Sequence, residues 1–188
     1  ELDPADLNDA AMCFNIDGRL ANELIVGAVG QENWEVEIEG KASHAGVAPE
    51  KGISSILVAA LAIAEARKNG WFGKVVKENG RGTSNPGIFS GRNGKPAGDA
   101  TNVVTDYVYI KGEARSPDEA FASAICQGYR DAFAKAQAEA TDADGETAKV
   151  TFSSKPSYPS FELTDDSPAV VRAKRAVEAI CLAPTTVF

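Results

Sequence analysis

The order of strand-like and helix-like segments in the middle of the chain constrains the fold more than any other feature. Residues 34–38 alternate apolar and acidic side chains, which indicates a strand with one buried face. Residues 53–67 repeat apolar side chains at steps of three and four, which is typical of an amphipathic helix. The apolar positions of this helix are Ile53, Ile56, Leu57, Ala60, Leu61 and Ala64. The central part of the chain therefore begins as a strand followed by a helix.

The segments that follow complete a recognisable pattern. Residues 83–90, 102–115 and 148–157 each predict a strand. A second helix, ending near residue 140, precedes the last of these strands; its predicted start has Ser116 as N-cap and Glu119 completing a capping box. The order strand, helix, strand, strand, helix, strand predicts an α+β fold. We expect a ferredoxin-like split βαβ unit with an antiparallel four-stranded sheet and two helices on one face.

Three further segments are predicted to be strands or helices. Residues 11–16 predict a buried strand that ends at a turn, and residues 24–29 predict a second strand. Residues 169–180 predict a helix that begins after Ser167 and Pro168. Of these, the first strand and the last helix lie outside the ferredoxin-like unit.

Charge and hydropathy exclude two classes of partner. The chain of 188 residues has 27 acidic and 19 basic residues, hence a net charge of -8. Phosphate backbones and anionic membrane surfaces repel such a protein, so we expect no nucleic acid and no membrane as partners. No apolar run approaches the roughly 20 residues needed to span a bilayer.

The three cysteines favour a reducing compartment. Cys13, Cys126 and Cys181 are far apart in the sequence and have no metal-ligand or redox spacing. We interpret them as reduced, buried thiols in a cytoplasmic protein.

His44 is the one histidine of the chain and the main candidate for chemistry. It lies between a predicted strand and a predicted helix, with Gly40 and Gly46 near it and small side chains beside it, so a ligand could approach closely. A histidine in such a loop can donate a hydrogen bond to an oxyanion or bind a carboxylate. The alternative is an ordinary loop histidine. No complete metal site, nucleophile elbow or phosphate-binding loop accompanies it.

Three segments, in the same order, resemble one metallohydrolase family. Residues 40–53 read Gly-Lys-Ala-Ser-His-Ala-Gly-Val-Ala-Pro-Glu-Lys-Gly-Ile, which looks like the signature of its lid domain. Residues 100–104 and 110–116 resemble a strand with Asn-Val at one end and Arg at the other, and residues 14–18 resemble a strand that ends in a metal-binding Asp. This family of zinc peptidases includes peptidase T, glutamate carboxypeptidase, aminoacylase and succinyl-diaminopimelate desuccinylase. The chain most resembles the peptidase T-like branch.

The resemblance implies a role for each matching residue. His44 would reach across a dimer and stabilise the oxyanion in the partner's active site, while Asn102 and Arg115 would bind the substrate. Asp17 would be one zinc ligand in the intact enzyme. The simpler alternatives are an ion pair for Arg115, a residue bonding its own backbone for Asn102, and a turn-forming residue before Gly18 for Asp17.

The resemblance also implies how much of an enzyme this chain contains. The family's other metal ligands and its general base have no counterpart, so two zinc ions are expected in the full-length enzyme and none in this chain. Both termini look cut, and we expect residues 19–161 to form a lid and dimerisation domain. Residues 1–18 and 162–188 would be incomplete edges of a catalytic domain.

The sequence thus predicts the lid of a zinc-dependent exopeptidase that acts on short peptides as a homodimer, the chain alone being inactive. Two alternatives stay open. One is a deacylase of N-acyl amino acids in the same family. The other is a non-catalytic ferredoxin-like module for dimerisation or binding.

Overall fold

The computed structural model describes residues 9–15 and 20–187, and these form two compact units. One unit comprises the central residues Val29–Ser160. The other comprises the described residues up to Ala28 together with those from Phe161 onward. The expected lid at residues 19–161 and catalytic-domain edges at 1–18 and 162–188 stay predictions.

The chain contains nine strands and three α-helices in its described part. The strands are β1 (Glu23–Ile25), β2 (Gly27–Ala28), β3 (Gly30–Glu39), β4 (Gly73–Lys77), β5 (Gly80–Ser90), β6 (Tyr107–Ser116), β7 (Lys149–Tyr158), β8 (Phe161–Glu162) and β9 (Thr185–Val187). The helices are α1 (Ser55–Lys68), α2 (Glu119–Glu139) and α3 (Pro168–Ala179). Among the described residues, no helix combines the length and the apolar character required to cross a bilayer.

The central unit is a five-stranded antiparallel sheet in the order β4-β5-β6-β3-β7, with α1 and α2 on one face. Alternate residues of β3 point into the core, so Trp34, Val36 and Ile38 are fully buried, as the alternating sequence predicts. Helix α2 covers them with apolar side chains. Those side chains include Phe121, Ile125, Tyr129 and Phe133. The ferredoxin-like α+β prediction is confirmed.

The sheet has one strand more than the predicted four. Strand β4 follows α1 and forms a hairpin with β5, pairing Gly73–Lys77 with Gly80–Ser84. Its sequence Gly-Lys-Val-Val-Lys is short and carries lysines, which is how many edge strands are protected from further pairing. A five-residue segment of this kind gives too short an alternation to be distinguished from a loop.

Two details of the helices differ from the predictions. The α1 residues that face the core are Ser55, Val58, Ala59, Ala62 and Ala66, so most of the predicted apolar stripe faces outward. The N-cap of α2 is Asp118, whose carboxylate accepts hydrogen bonds from Ala120 N and Phe121 N. Ser116 lies further back, in the last position of β6, and its buried hydroxyl accepts from Asp118 N. The cap therefore lies two residues later than predicted.

The second unit consists of short pieces. Strand β1 pairs in parallel with β9, and β2 pairs antiparallel with β8. The predicted strand at 24–29 is thus divided, because β1 and β2 have different partners. The predicted strand at 11–16 is wrong in its described part: residues 11–15 form no strand, and the Phe14 side chain is exposed. Asp17, the predicted metal ligand, lies outside the described residues.

The cysteines are only partly as expected. All three are unpaired, and Cys126 is buried in the core of the central unit, where burial raises the pKa of its thiol. Cys13 and Cys181 are exposed, because neither belongs to that core. The cytoplasmic location stays a prediction.

Candidate functional site

The His44 loop is closed at its base by a pair of backbone hydrogen bonds. Lys41 N donates to Ile53 O over 3.0 Å, and Ile53 N donates to Lys41 O over 2.9 Å. Gly40 serves this closure rather than ligand approach, since a Cβ there would lie 2.1 Å from Ile53 O. By contrast, a Cβ on Gly46 would meet only the His44 ring, at 3.6 Å. Gly46 therefore keeps the space beside His44 open, as the sequence predicts for that position.

Internal hydrogen bonds make the loop compact. The His44 carbonyl oxygen accepts from Val47 N at 3.1 Å and from Ala48 N at 3.0 Å. The Ser43 hydroxyl donates to the carbonyl oxygen of Ala48. The His44 carbonyl and the preceding Ser43 side chain are therefore both bonded to the residues that follow them. The His44 side chain lies on the exposed surface.

A second segment of the chain runs beside this loop and brings Asn102 next to His44. Ala45 N donates to Asn102 O over 2.9 Å, and Val104 N donates to Ser43 O over 2.8 Å. These two bonds make Val103 the antiparallel partner of His44. The Asn102 side chain is exposed. The predicted site residues His44 and Asn102 are thus held together.

One hydrogen bond selects the tautomer of His44. Gly46 N donates to the Nδ1 atom of the ring over 3.2 Å, so Nδ1 must be the unprotonated nitrogen. In the neutral ring the proton is then on Nε2. The arrangement therefore presents an N–H donor to an incoming ligand, which is the property an oxyanion contact requires.

Arg115 lies at the far end of the sheet from this pair. The His44 loop adjoins the start of β6 at Tyr107, and the eight strand positions from there to Arg115 span about 26 Å. Glu113 binds both ends of its guanidinium fork, Nε to Oε1 at 2.8 Å and Nη2 to Oε2 at 3.0 Å. This pairing raises the pKa of Arg115. The structure therefore does not bring Arg115 to His44 and Asn102 within one copy, and a carboxylate ligand would have to displace Glu113.

An open cavity of about 510 Å³ is lined in part by Ala100 and Val103, on either side of Asn102 in the sequence. Val103, the backbone partner of His44, is part of its wall. Arg92 also lines it, with its guanidinium 4.2 Å above the ring of Tyr107 and 3.7 Å from the carboxylate of Asp106. Both signs of charge therefore occur in the wall, and the cavity could hold part of a small polar ligand.

The described part of the chain does not fit a zinc pair. Within residues 9–15 and 20–187, no group of three or more His, Cys, Asp or Glu side chains is close enough to bind a metal ion. His44 is engaged with Gly46 through Nδ1, and the described cysteines are scattered.

The predictions from sequence missed an anchor beneath the His44 loop. The Lys41 ammonium lies 2.8 Å from Asp142 Oδ2 and 2.7 Å from Glu146 Oε2, both in the turn between α2 and β7. The ammonium holds the pKa of Asp142 below its usual value, although burial of the carboxylate opposes the effect. The sequence signal was the Asp-x-x-Gly pattern at 142–145, which is typical of a type I turn but does not reveal its partner.

Comparison with known proteins gives these features a context. The family model described as peptidase dimerisation domain matches residues 26–141. The uncharacterised protein YqjE of Bacillus subtilis is 37% identical to this chain over 164 residues, which are 87% of this chain and 39% of that protein.

Solved structures agree in fold. The aminopeptidase PepT of Bacillus cereus is 35% identical, with a TM-score of 0.71, over 92% of this chain and 41% of that one. A tripeptidase of Staphylococcus aureus is 29% identical, with a TM-score of 0.70, over 89% of this chain and 39% of that one. The chain therefore spans about two fifths of the length of these relatives.

Proposed function

Since this chain belongs to the peptidase dimerisation domain family, we propose that it is the lid and dimerisation part of a zinc-dependent exopeptidase that hydrolyses short peptides. The observation that carries the proposal is the placement of His44 beside Asn102 on one exposed surface, in a loop fixed by backbone hydrogen bonds. The similarity to an aminopeptidase and a tripeptidase supports peptides as substrates.

In this proposal His44 stabilises negative charge on the carbonyl oxygen under attack. Its Nε2–H is free to donate because Gly46 N occupies Nδ1. Asn102 holds a polar group of the same substrate, since its side chain amide is exposed at the same surface. A fixed donor of this kind lowers the barrier because it does not have to reorganise during the reaction. The zinc ions and the general base would be held by residues outside the described part of the chain.

If His44 and Arg115 contact the same substrate, the two residues come from different copies of the chain. A short peptide cannot contact His44 and Arg115 of one copy if about 26 Å separates them along the sheet. If Arg115 binds the substrate, it acts in one subunit while His44 and Asn102 come from the partner. A homodimer through the lid satisfies this geometry.

Two surfaces of the central unit could form such a dimer. On α1, Ile56 and Leu57 are 39% and 50% exposed. On β5, the pairing with β4 extends from Gly80 to Ser84, and among the described residues no strand pairs with this edge beyond Ser84. Ile88 and Phe89 in this free part are 50% and 47% exposed. An unpaired edge with exposed apolar side chains favours pairing with a second copy.

The first test is the replacement of His44 in the complete enzyme. We expect His44→Ala to lower kcat by about 100- to 1,000-fold, the loss that follows removal of one oxyanion donor, with a much smaller change in KM. His44→Gln, which keeps a side-chain N–H donor, should retain part of the activity. Steady-state kinetics on a tripeptide measures both values, and an unchanged kcat would exclude the role of His44.

Mixed dimers test whether the site is shared between subunits. A His44→Ala subunit and an Arg115→Ala subunit together leave one intact site in each hybrid, because its two residues come from different chains. A random mixture should then recover about one quarter of the wild-type activity. If both residues acted within one chain, mixing would recover nothing.

Kinetics with the same enzyme preparation distinguish the two substrate classes, N-acyl amino acids and peptides. A deacylase would hydrolyse N-acyl amino acids with a higher kcat/KM than tripeptides. If the chain is a non-catalytic module, the complete protein hydrolyses neither N-acyl amino acids nor tripeptides.

A further inference from the structure

The turn between α2 and β7 is built to receive Lys41. Asp142 has a side chain with no exposed surface, and its Oδ1 accepts from Asp144 N at 3.0 Å and from Glu146 N at 2.8 Å. Its Oδ2 accepts from the Lys41 ammonium at 2.8 Å. Both oxygens of a buried carboxylate are thus engaged, and the only cation among these partners belongs to the base of the His44 loop.

A backbone hydrogen bond joins the same two segments. Ala143 N donates to Glu50 O over 2.8 Å, on the far side of the loop from Lys41 in the sequence. The turn itself is closed by Asp142 N donating to Glu146 O at 3.0 Å and by pairing of Thr141 with Thr147. A rigid turn therefore holds the His44 loop near both of its ends.

We propose that Lys41 and Asp142 are positioning residues for His44. They link the His44 loop to the C-terminal end of α2, the main helix of the core, independently of the segment that contains Asn102. The proposal rests on the proposed role of His44. Neither Lys41 nor Asp142 touches the substrate, and both act through the placement of the imidazole ring.

If Lys41 only stabilised the fold, its loss would have consequences different from those expected of a positioning residue. Lys41 is 42% exposed and Glu146 is 63% exposed, so their ion pair by itself adds little to the stability of the fold. Loss of Lys41 leaves the carboxylate of Asp142 buried without a cation, and the turn and the loop then separate or shift. A misplacement of about 1 Å at a catalytic group can cost roughly 100-fold in rate.

The test is a double-mutant cycle in the complete enzyme. We expect Lys41→Met to lower kcat by about 10- to 100-fold with KM little changed, and to have no effect in a His44→Ala background, because the action passes through His44. Asp142→Asn should do the same, since the amide keeps the Oδ1 acceptor but cannot accept from Lys41. Lys41→Arg should restore most of the rate. An equal loss in both backgrounds would overturn the proposal.

The control is Lys111→Met. Lys111 forms an ion pair of similar length, 2.9 Å to Glu35, within the sheet and away from the loop. We expect its replacement to leave kcat unchanged. A loss equal to that of Lys41→Met would mean that any broken ion pair lowers activity, which contradicts the proposal.

A second measurement does not depend on activity. His44 is the one histidine in the chain, so selective 15N labelling of histidine gives this chain a single histidine amide signal in a nuclear magnetic resonance spectrum. We expect Lys41→Met to lower the order parameter of the His44 amide from about 0.85 toward 0.6, while Lys111→Met does not. An unchanged value refutes positioning by Lys41. If His44→Ala proves fully active, the proposed function fails, and this measurement still decides the positioning.

Discussion

Gly112 occupies a position where the core leaves no room for a side chain. It lies on β6 beside Trp34, whose ring stacks on Tyr129 with centroids 4.6 Å apart. A Cβ on Gly112 would be 2.2 Å from the Trp34 ring and 2.8 Å from the backbone oxygen of Asn85. Trp34 cannot move aside easily, since Phe152 stacks against it as well, at 5.7 Å. The aromatic core therefore depends on a glycine in the neighbouring strand.

We expect Gly112→Ala to lower the free energy of unfolding by about 1–3 kcal/mol, the usual cost of overpacking a core. Urea unfolding followed by Trp fluorescence measures this difference. Gly87→Ala is the control, because a Cβ there would meet only the Asn85 side chain, at 3.5 Å, an ordinary contact. Equal effects of the two substitutions would show that the contact with Trp34 is not the cause.

Helix α1 has two apolar faces, and only one of them packs on the sheet. Val58, Ala59 and Ala62 are buried, whereas Ile56, Leu57 and Ala60 lie on the exposed side. Periodicity alone cannot tell a face that meets the core from a face that meets a second molecule, since both require apolar residues at the same steps. The outward face is therefore a candidate for the contact between two copies.

We expect Ala60→Lys to weaken dimerisation, because it places a charge in the middle of the exposed apolar face of α1 without removing a buried contact. Analytical ultracentrifugation over a range of concentrations should give a dissociation constant at least tenfold higher, which corresponds to about 1.4 kcal/mol. Ala134→Lys makes the same change on the exposed side of α2 and should leave association unchanged. A wild-type chain that is monomeric at high concentration would contradict the dimer itself.

The sequence predicts a strand or helix well when its apolar pattern is long and reflects one contact. The alternation of β3 reflects a single contact with the core and is confirmed, as is the second predicted helix, α2. Strand β4 is missed because its five residues are too few for a pattern. The N-cap of α2 is displaced because Ser116, which could cap the helix, is engaged with Arg81 O and Asp118 N. The spacing of residues in the sequence does not show which of several nearby groups a side chain such as Ser116 will bind.

The candidate site combines segments that are distant in the sequence. The His44 loop, the segment at 102–105 and the turn at 141–147 meet through backbone hydrogen bonds and the ion pair of Lys41 with the buried Asp142 carboxylate. The resemblance of the loop and of Asn102 to a known family gave both as candidates, but spacing could not show that they are neighbours. The role of Lys41 could not be predicted either, since a lysine before a glycine-flanked loop has many possible partners.

Ion pairs join different elements of the central unit, and they make its free energy of unfolding depend on pH. The pKa of each of four carboxyl groups is lowered by a hydrogen bond from a lysine. The pairs are Glu35 with Lys111, Glu39 with Lys149, Glu65 with Lys135 and Asp142 with Lys41. A carboxyl group whose pKa is lower in the folded chain contributes stability above its unfolded pKa, and this stability is lost as the pH falls through the folded value.

We therefore expect the free energy of unfolding to change little between pH 8 and 5 and to fall below about pH 4.5, the ordinary value for a glutamate. Net charge acts in the same window, because the chain becomes positive below its isoelectric point near 4.8. Urea unfolding at pH 7, 5, 4 and 3 measures the loss. A double variant, Lys111→Met with Lys135→Met, should lose less stability on acidification, since two of the four carboxyl groups no longer have their partners. Acid loss equal to that of the wild-type chain would assign the effect to net charge instead of these pairs.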